Sequence, residues 1–364
     1  MKSLVILPYS PWPVNTGTKI EMMKHLDVLK ELGECTIVSA KTRPVGFGWT
    51  DEAVSAMQAK GFKLIFREDH CRLNPAQVVG IMYAAICKAL KLDKAFGHAN
   101  PYHRYEFSEA WIHELSKSYD LVVMQYGFWA HFRTACPKAV AVHELLSNYH
   151  WGWKQAETRD YAYADLLLTV GKDEADELKG RGLKNVWWSP PIAPKVTLSV
   201  NDQVGMIGTI APQNIEGLQW LEKASGTDLK IRVYGNIVKL IKAPFFTAVG
   251  RYDDRNTPYA DCGIHLMTRG DRPGLQIKVV EALACGRAII ARKGSMRGLP
   301  VSKDAYIGVD TPDEMLARAA ELVRNKDARE KLAAEAGKYY DRYLDSGKVL
   351  RELRSLYVKT AGKK

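Results

Sequence analysis

The 364 residues contain no apolar run long enough to cross a membrane; the longest, Val78 to Cys87, ends at Lys88, well short of the roughly 18 residues that a span requires. The amino terminus carries no secretory-signal pattern either, because Met1-Lys2-Ser3 leads straight into Leu4-Val5-Ile6-Leu7 and Pro8. The expected location is therefore the cytoplasm. Six cysteines, at 35, 71, 87, 136, 262 and 285, never form a C-x-x-C pair and mostly sit among apolar neighbours. That argues against a zinc site or a disulfide framework and for reduced, buried thiols. Paired carboxylates and histidine clusters of the kind that hold a metal against a diphosphate are also missing. No internal repeat or low-complexity segment interrupts the chain.

What is present reads as a globular protein, with 46% hydrophobic and 26% charged residues, and the length favours two domains. The net charge of +11 is unevenly placed: Lys and Arg exceed Asp and Glu by 2 up to residue 190 and by 9 beyond it. A basic second half fits an anionic ligand. It fits nucleic acid or anionic lipid as well, since a charge excess does not identify the anion.

The most informative stretch runs from Arg272 to Ala291. Pro273-Gly274 marks a turn, Ile277, Val280, Leu283 and Ala284 fall at helical spacing, Gly286 suits a helix C-terminus, and Ala288-Ile289-Ile290-Ala291 is apolar enough for a buried strand. A loop that feeds backbone N–H groups into a helix start is an anion site. Here Arg272 and Lys278 flank it, and Glu281 lies one turn inside. Donors for phosphate together with a carboxylate for a ribose diol suit a nucleotide diphosphate. The plainer alternative is a surface-to-core helix whose charges are incidental.

Elsewhere the chain alternates apolar runs with helical patterns, as an α/β protein does. Leu4 to Leu7, Cys35 to Ser39, Phe62 to Phe66, Asp120 to Met124, Ala139 to Val142, Asp165 to Val170 and Asn185 to Trp188 read as strands of a first domain. The loop from Pro8 to Thr18, containing Gly17, follows the first strand at the end where such folds bind ligands. Ala76 to Leu92 reads as a core helix capped by Lys88, Lys91 and Lys94, the alternative being a membrane-docking helix with a basic collar. After Ser189-Pro190-Pro191-Ile192, a stiff linker, the rhythm restarts with Val204 to Ile207, Ile231 to Gly235, Thr247 to Gly250 and Cys262 to Leu266. Thr311-Pro312-Asp313-Glu314 opens a capped helix, and helical pattern continues from 327 to 344 and from 347 to 357.

The run Gly274-Leu-Gln276-x-Lys278-Val-x-Glu281-Ala-x-Ala-x-Gly286-Arg-x-x-x-Ala291 resembles the donor-site signature of retaining glycosyltransferases of the GT-B architecture, in the large family 4 group. That resemblance implies two Rossmann-like domains facing each other across a cleft: an acceptor-side domain over 1–190, a nucleotide-sugar-binding domain over 191–340, and C-terminal helices over 341–364 packing back on the first domain. It implies that Glu281 holds the ribose of a nucleotide-diphosphate sugar, and that Gly274, Leu275, Gln276, Gly17, Thr18, Gly208, Thr209, Asn214 and Gly235 belong to the donor site. His143, just after a strand, matches a group that contacts the sugar or the leaving phosphate. Lys278 and Arg272, with the helix N-terminus, would stabilise the departing diphosphate without a bound metal or other cofactor. Two departures from the family pattern stand out: Pro273 replaces a second Glu that many members carry eight residues before the first, and the loop after Gly208 lacks their basic residues.

The activity so implied is metal-independent hexosyl or pentosyl transfer to a glycan, a lipid-linked sugar or another hydroxyl acceptor, with peripheral membrane contact as an extension. A nucleic-acid acceptor, as in phage enzymes that glycosylate modified DNA bases, is a variant that the positive charge permits. A nucleotide-sugar epimerase or hydrolase, and a catalytically inactive nucleotide-sugar-binding protein, are the other readings.

Overall fold

A computed structural model of the chain describes residues 1–42, 48–70, 73, 75–90, 101–148 and 154–363. The chain forms two compact units, Met1–Pro190 together with the end of the chain from Val349, and Pro191–Lys348.

The first unit is built on a parallel sheet of β1 (Lys2–Ile6), β2 (Glu34–Ser39), β3 (Lys63–Phe66), β4 (Leu121–Gln125), β5 (Lys138–Val142), β6 (Leu166–Thr169) and β7 (Val186–Trp188), in the order β3-β2-β1-β4-β5-β6-β7. Its continuous apolar strands follow from burial on both faces. Leu4 and Ile6 pack with Val122, Met124, Val140 and Val142 on one face. Val5 packs with Leu26, Leu29, Leu121 and Val123 on the other. The helix Gly17–Glu31 covers that second face, its start fixed by the Thr16 hydroxyl, which accepts from the Lys19 N–H. Into the same core the last helix, Ser346–Ala361, sends Leu353 and Tyr357, whose hydroxyl meets His25 Nδ1 at 2.5 Å.

The second unit carries β8 (Val204–Ile207), β9 (Ile231–Tyr234), β10 (Phe246–Gly250), β11 (Ile264–Met267), β12 (Ala288–Arg292) and β13 (Ile307–Val309), again all parallel, in the order β10-β9-β8-β11-β12-β13. In each sheet the strand order reverses once, between β1 and β4 and between β8 and β11. Open α/β sheets take their ligands outside the carboxyl ends of such strand pairs.

One expectation fails. The helix found at Pro75–Ala89 is no core helix: Val79, Met82, Tyr83 and Ile86 are all more than half exposed. A helix that is apolar all round reads as buried, and periodicity cannot tell that case from one left uncovered. Lys91, Leu92 and Lys94 lie outside the described residues, as does Cys71, while Cys35, Cys136, Cys262 and Cys285 are buried free thiols.

Candidate functional site

At the switch point of the second unit, three segments meet: the loop after β8, the loop after β11, and the start of the helix Ile277–Ala284. Gln276 is the N-cap of that helix but makes no side-chain cap bond, which leaves the first-turn N–H groups without that partner. Gly274, with φ 82° and open space where a Cβ would be, turns the chain into the helix as only glycine does without strain. Lys278, on the first turn, donates from Nζ to the Ile207 carbonyl at 2.9 Å and to Asn214 Oδ1 at 3.2 Å. Asn214 in turn donates to the Thr209 hydroxyl at 3.1 Å and to its carbonyl at 3.2 Å. Thus Thr209, Asn214 and Lys278, far apart in sequence, form one hydrogen-bonded group at the carboxyl end of β8.

Both acceptors of Lys278 are neutral. Burial, and after it the nearby Arg269 guanidinium, lower its pKa from 10.5 to about 8. Arg269 stands in the loop after β11, half-buried, and donates to the Pro273 carbonyl. Two cations held this close, with the start of a helix between them in sequence, make an anion seat. The loop that carries Arg269 is braced from below: Glu216 accepts from Arg292 at 2.6 Å and from the Gly270 N–H at 3.4 Å, and the Arg292 guanidinium lies over the Trp220 ring.

Glu281, one turn inside the helix, accepts from the Tyr259 hydroxyl at 2.8 Å and is ion-paired with Arg255. Tyr259 is fully buried and also donates to the Lys278 carbonyl at 3.2 Å, so it fixes the carboxylate against the helix. Arg255 is half exposed and comes from the loop after β10, which also brings Tyr252 near Glu281.

The remaining predicted residues fall less simply. Gln276 is buried and commits its amide nitrogen to the Ser295 carbonyl at 2.8 Å, leaving Oε1 buried without a partner. Gly208 is small for packing: a Cβ there would stand 3.0 Å from the Ile237 side chain, and Gly235, at φ 89°, abuts the Gly208 carbonyl. Leu275 precedes the N-cap and is partly exposed. Arg272 is exposed, and no hydrogen bond or ion pair ties its side chain among the described residues.

The switch point of the first unit gathers a second group. His143 follows β5, its Nε2 2.7 Å from Gln125 Oε1 and its ring stacked on Tyr126 at 4.3 Å between centroids. With the Gln125 amide oxygen as acceptor, His143 carries its proton on Nε2. Burial lowers its pKa to about 3, so the ring stays neutral across the physiological range. Tyr126, at φ 71°, is a non-glycine residue held at positive φ, a conformation that costs on the order of 1–3 kcal/mol. Its hydroxyl lies 3.1 Å from that of Tyr9 and close to the side chain of Thr18, next to Gly17 at the start of the helix Gly17–Glu31. Thr18 and His143 are therefore brought together through a strained aromatic ring.

Sequence reasoning missed Arg269, Arg255, Tyr259 and Tyr126. Arg269 alone left a signal, as a basic residue just past a strand at the ligand end of the sheet. The other three act through partners that only the tertiary fold supplies. Among the described residues no three His, Cys, Asp or Glu side chains cluster as metal ligands.

Residues 217–353 match the family model described as glycosyl transferase-like, a span that holds Arg255, Arg269, Lys278 and Glu281 but not the loop after β8. No curated protein matches the chain in sequence. Among solved structures, the chain is similar to Anabaena HepE in complex with UDP, at TM-score 0.67 and 13% identity over 99% of this chain and 100% of that one. It is similar to the sucrose-phosphate synthase of Thermosynechococcus elongatus, at TM-score 0.65 and 11% identity over 100% of both chains. A variant of S. aureus TarM in complex with fondaparinux, α-GlcNAc-glycerol and UDP matches at TM-score 0.64 and 10% identity over 98% of this chain and 100% of that one. At such identities the likeness is one of fold, and with the two parallel sheets of seven and six strands and their flanking helices it establishes that the chain has the GT-B fold of glycosyltransferases.

Proposed function

We propose that the protein is a retaining glycosyltransferase of the family 4 type that moves a sugar from a nucleotide-diphosphate sugar to a hydroxyl acceptor, with neither metal nor other cofactor. The observation that carries this reading is the half-buried Lys278 ammonium, held on neutral acceptors at the sheet's switch point beside Arg269, with the Glu281 carboxylate one turn further on. Phosphate oxygens complement the two cations and the helix start, and the ribose diol complements the carboxylate. UDP in the HepE and TarM structures supports the donor class. The bound fondaparinux of TarM favours a glycan or lipid-linked sugar as acceptor over nucleic acid. Arg272, exposed at the same loop, serves as an outer cation; His143, with Gly17 and Thr18, serves the reacting sugar or the leaving phosphate.

The test is a thermal-shift screen of nucleoside diphosphates and nucleotide sugars, followed by transfer assays that record the anomeric configuration of the product. A stabilising nucleotide sugar and an acceptor-dependent product with retained configuration are the expected results; release of free sugar with no acceptor dependence would favour a hydrolase. Activity should persist in EDTA, because the diphosphate charge is met here by side-chain cations rather than by carboxylate-held metal. Complete loss in EDTA, restored by magnesium or manganese, would overturn the metal-free part of the proposal.

His143→Ala should lower turnover more than donor affinity, since a group at the reacting end of the sugar acts mainly in the transition state. Because the ring is neutral above about pH 3, no limb of the pH–rate profile between pH 5 and 8 should disappear with it. The change also strands the Gln125 amide, whose Nε2 already lacks a partner, so stability should fall by about 1–3 kcal/mol. Normal turnover with only a lower melting temperature would make the residue structural.

A further inference from the structure

Given the diphosphate reading of Lys278 and Arg269, on which this rests, we infer that Ser295, in the turn after β12, is a positioning residue for the anion seat. Its hydroxyl fixes the loop that carries Arg269, and its carbonyl fixes the start of the helix that carries Lys278. The hydroxyl reaches the Met267 carbonyl at 2.6 Å and the Arg269 carbonyl at 2.5 Å, so one proton is shared between two acceptors. The Ser295 carbonyl accepts from the Gln276 amide at 2.8 Å, two residues before Lys278. A residue only 1% exposed thus joins both cation-bearing segments from a third.

The same turn, with the end of the strand before it, holds the Arg269 loop residue by residue. Arg292, which ends β12, donates to the Thr268 carbonyl at 3.3 Å, and its guanidinium lies so close to Gly270 that a Cβ there would stand 3.2 Å from it. Gly294, at φ 88°, lets the turn pass the Asp271 backbone, where a Cβ would stand 2.5 Å from the Asp271 Cα. Arg297 pairs with the Asp271 carboxylate at 3.2 Å. Every residue from Met267 to Asp271 is therefore held by Arg292, Gly294, Ser295 or Arg297. Loops that carry binding groups are ordinarily mobile. One pinned at consecutive residues is preorganised, and cations fixed in advance meet a growing negative charge without reorganising.

Among these contacts the Ser295 hydroxyl is the most selective to remove. Ser295→Ala takes the donor from the two carbonyls that flank Thr268 and leaves the Gln276 bond, which uses backbone, so it loosens Arg269 and spares the helix. Arg269 is the neighbouring charge that, after burial, lowers the Lys278 pKa, and His265, which also feels Lys278, is neutral above about pH 3. Displacement of Arg269 is therefore legible at Lys278, whose pKa should rise.

The test follows the Lys278 titration in the full, ligand-free chain by NMR of lysines labelled at the ε carbon, with Lys278→Met to assign the signal, beside calorimetry with inorganic pyrophosphate. In Ser295→Ala the Lys278 pKa should rise, as in Arg269→Met but by less, and pyrophosphate affinity should fall roughly 3- to 10-fold. Ser295→Thr, which keeps the hydroxyl, should restore both. Should Ser295→Ala fold poorly, Ser295→Cys keeps the volume and weakens the donor, and the same rise is expected. A Ser295→Ala protein that melts lower yet titrates Lys278 and binds pyrophosphate like wild type would overturn the inference and leave the hydroxyl a purely structural role. Wild type that binds no pyrophosphate would overturn the diphosphate reading instead, while the Lys278 titration, which needs no ligand, still decides whether Ser295 positions Arg269.

Discussion

Lys278→Met is expected to cut turnover by roughly 10²–10³-fold while weakening donor binding less. In the proposed transfer, negative charge grows on the diphosphate as the bond to the sugar breaks, and because the loop after Gly208 offers no cation of its own, that charge would fall to Lys278 and Arg269. The ammonium is already aimed by Ile207 and Asn214, so little reorganisation is needed at the moment of reaction. Lys278→Arg should restore activity only in part, because the guanidinium fork needs a different approach to oxygen. Arg269→Met should resemble Lys278→Met in direction and raise the Lys278 pKa by removing a neighbouring cation.

Proton linkage gives the same residue a signature. With its pKa lowered to about 8, Lys278 is protonated in the free protein below that pH and progressively neutral above it. Donor affinity should therefore be level below about pH 8 and fall above it, and Lys278→Met should flatten that fall. For folding the sign is opposite: the unfolded chain holds the Lys278 proton up to about pH 10, so between those values the native state gains stability as pH rises. At pH 7 the wild type still carries the cost of that buried charge, which offsets the two hydrogen bonds the mutant loses, so Lys278→Met should melt no more than a few degrees below wild type. A Met variant that binds and turns over the donor within a factor of about two of wild type would remove the phosphate role from this helix.

Much of the fold is written in the sequence because parallel strands buried on both faces must be continuous apolar runs, and Leu4 to Leu7, Ala139 to Val142 and Ala288 to Ala291 could hardly be anything else. Short elements were harder to see. β13 exposes two of its three residues in part, and the helices Asp51–Ala59 and Lys154–Tyr161 are too brief and polar for periodicity to mark them. At the candidate site, sequence spacing exposed residues that share one helix, such as Lys278 and Glu281. A partner that arrives from another strand's loop stayed hidden, since Arg255 reaches Glu281 from the loop after β10, while Arg269 lies in the very loop that leads into the helix of Lys278 and was passed over for Arg272. Gln276 and Gly208 also carry structural work that the motif does not show. The Gln276 amide donates to the Ser295 carbonyl and Gly208 leaves room for the Ile237 side chain, contacts that only the tertiary fold supplies.

Glu281→Ala should remove most nucleotide-sugar affinity, about 2–4 kcal/mol or roughly 30- to 1000-fold, because two charge-assisted hydrogen bonds to the ribose diol are lost together. The carboxylate in the structure is occupied on both oxygens, by Tyr259 and by Arg255. A carboxylate has about four acceptor positions, so the diol can join Tyr259 without expelling it, and the partner with most freedom to move is the half-exposed Arg255. Arg255→Met then becomes the discriminating control. If Glu281 exists to hold the ribose, Arg255→Met should leave affinity within a few fold of wild type; if Glu281 exists only to anchor Arg255 and its loop, Arg255→Met should weaken binding as much as Glu281→Ala does. Stability should change little, since Arg255 is half exposed and the Tyr259 hydroxyl keeps the Lys278 carbonyl as an acceptor. Calorimetry on the folded Glu281→Ala protein decides the matter: unchanged affinity for the nucleoside diphosphate would take the ribose away from this helix, and with it the strongest link between the Gly274–Ala291 motif and the proposed donor.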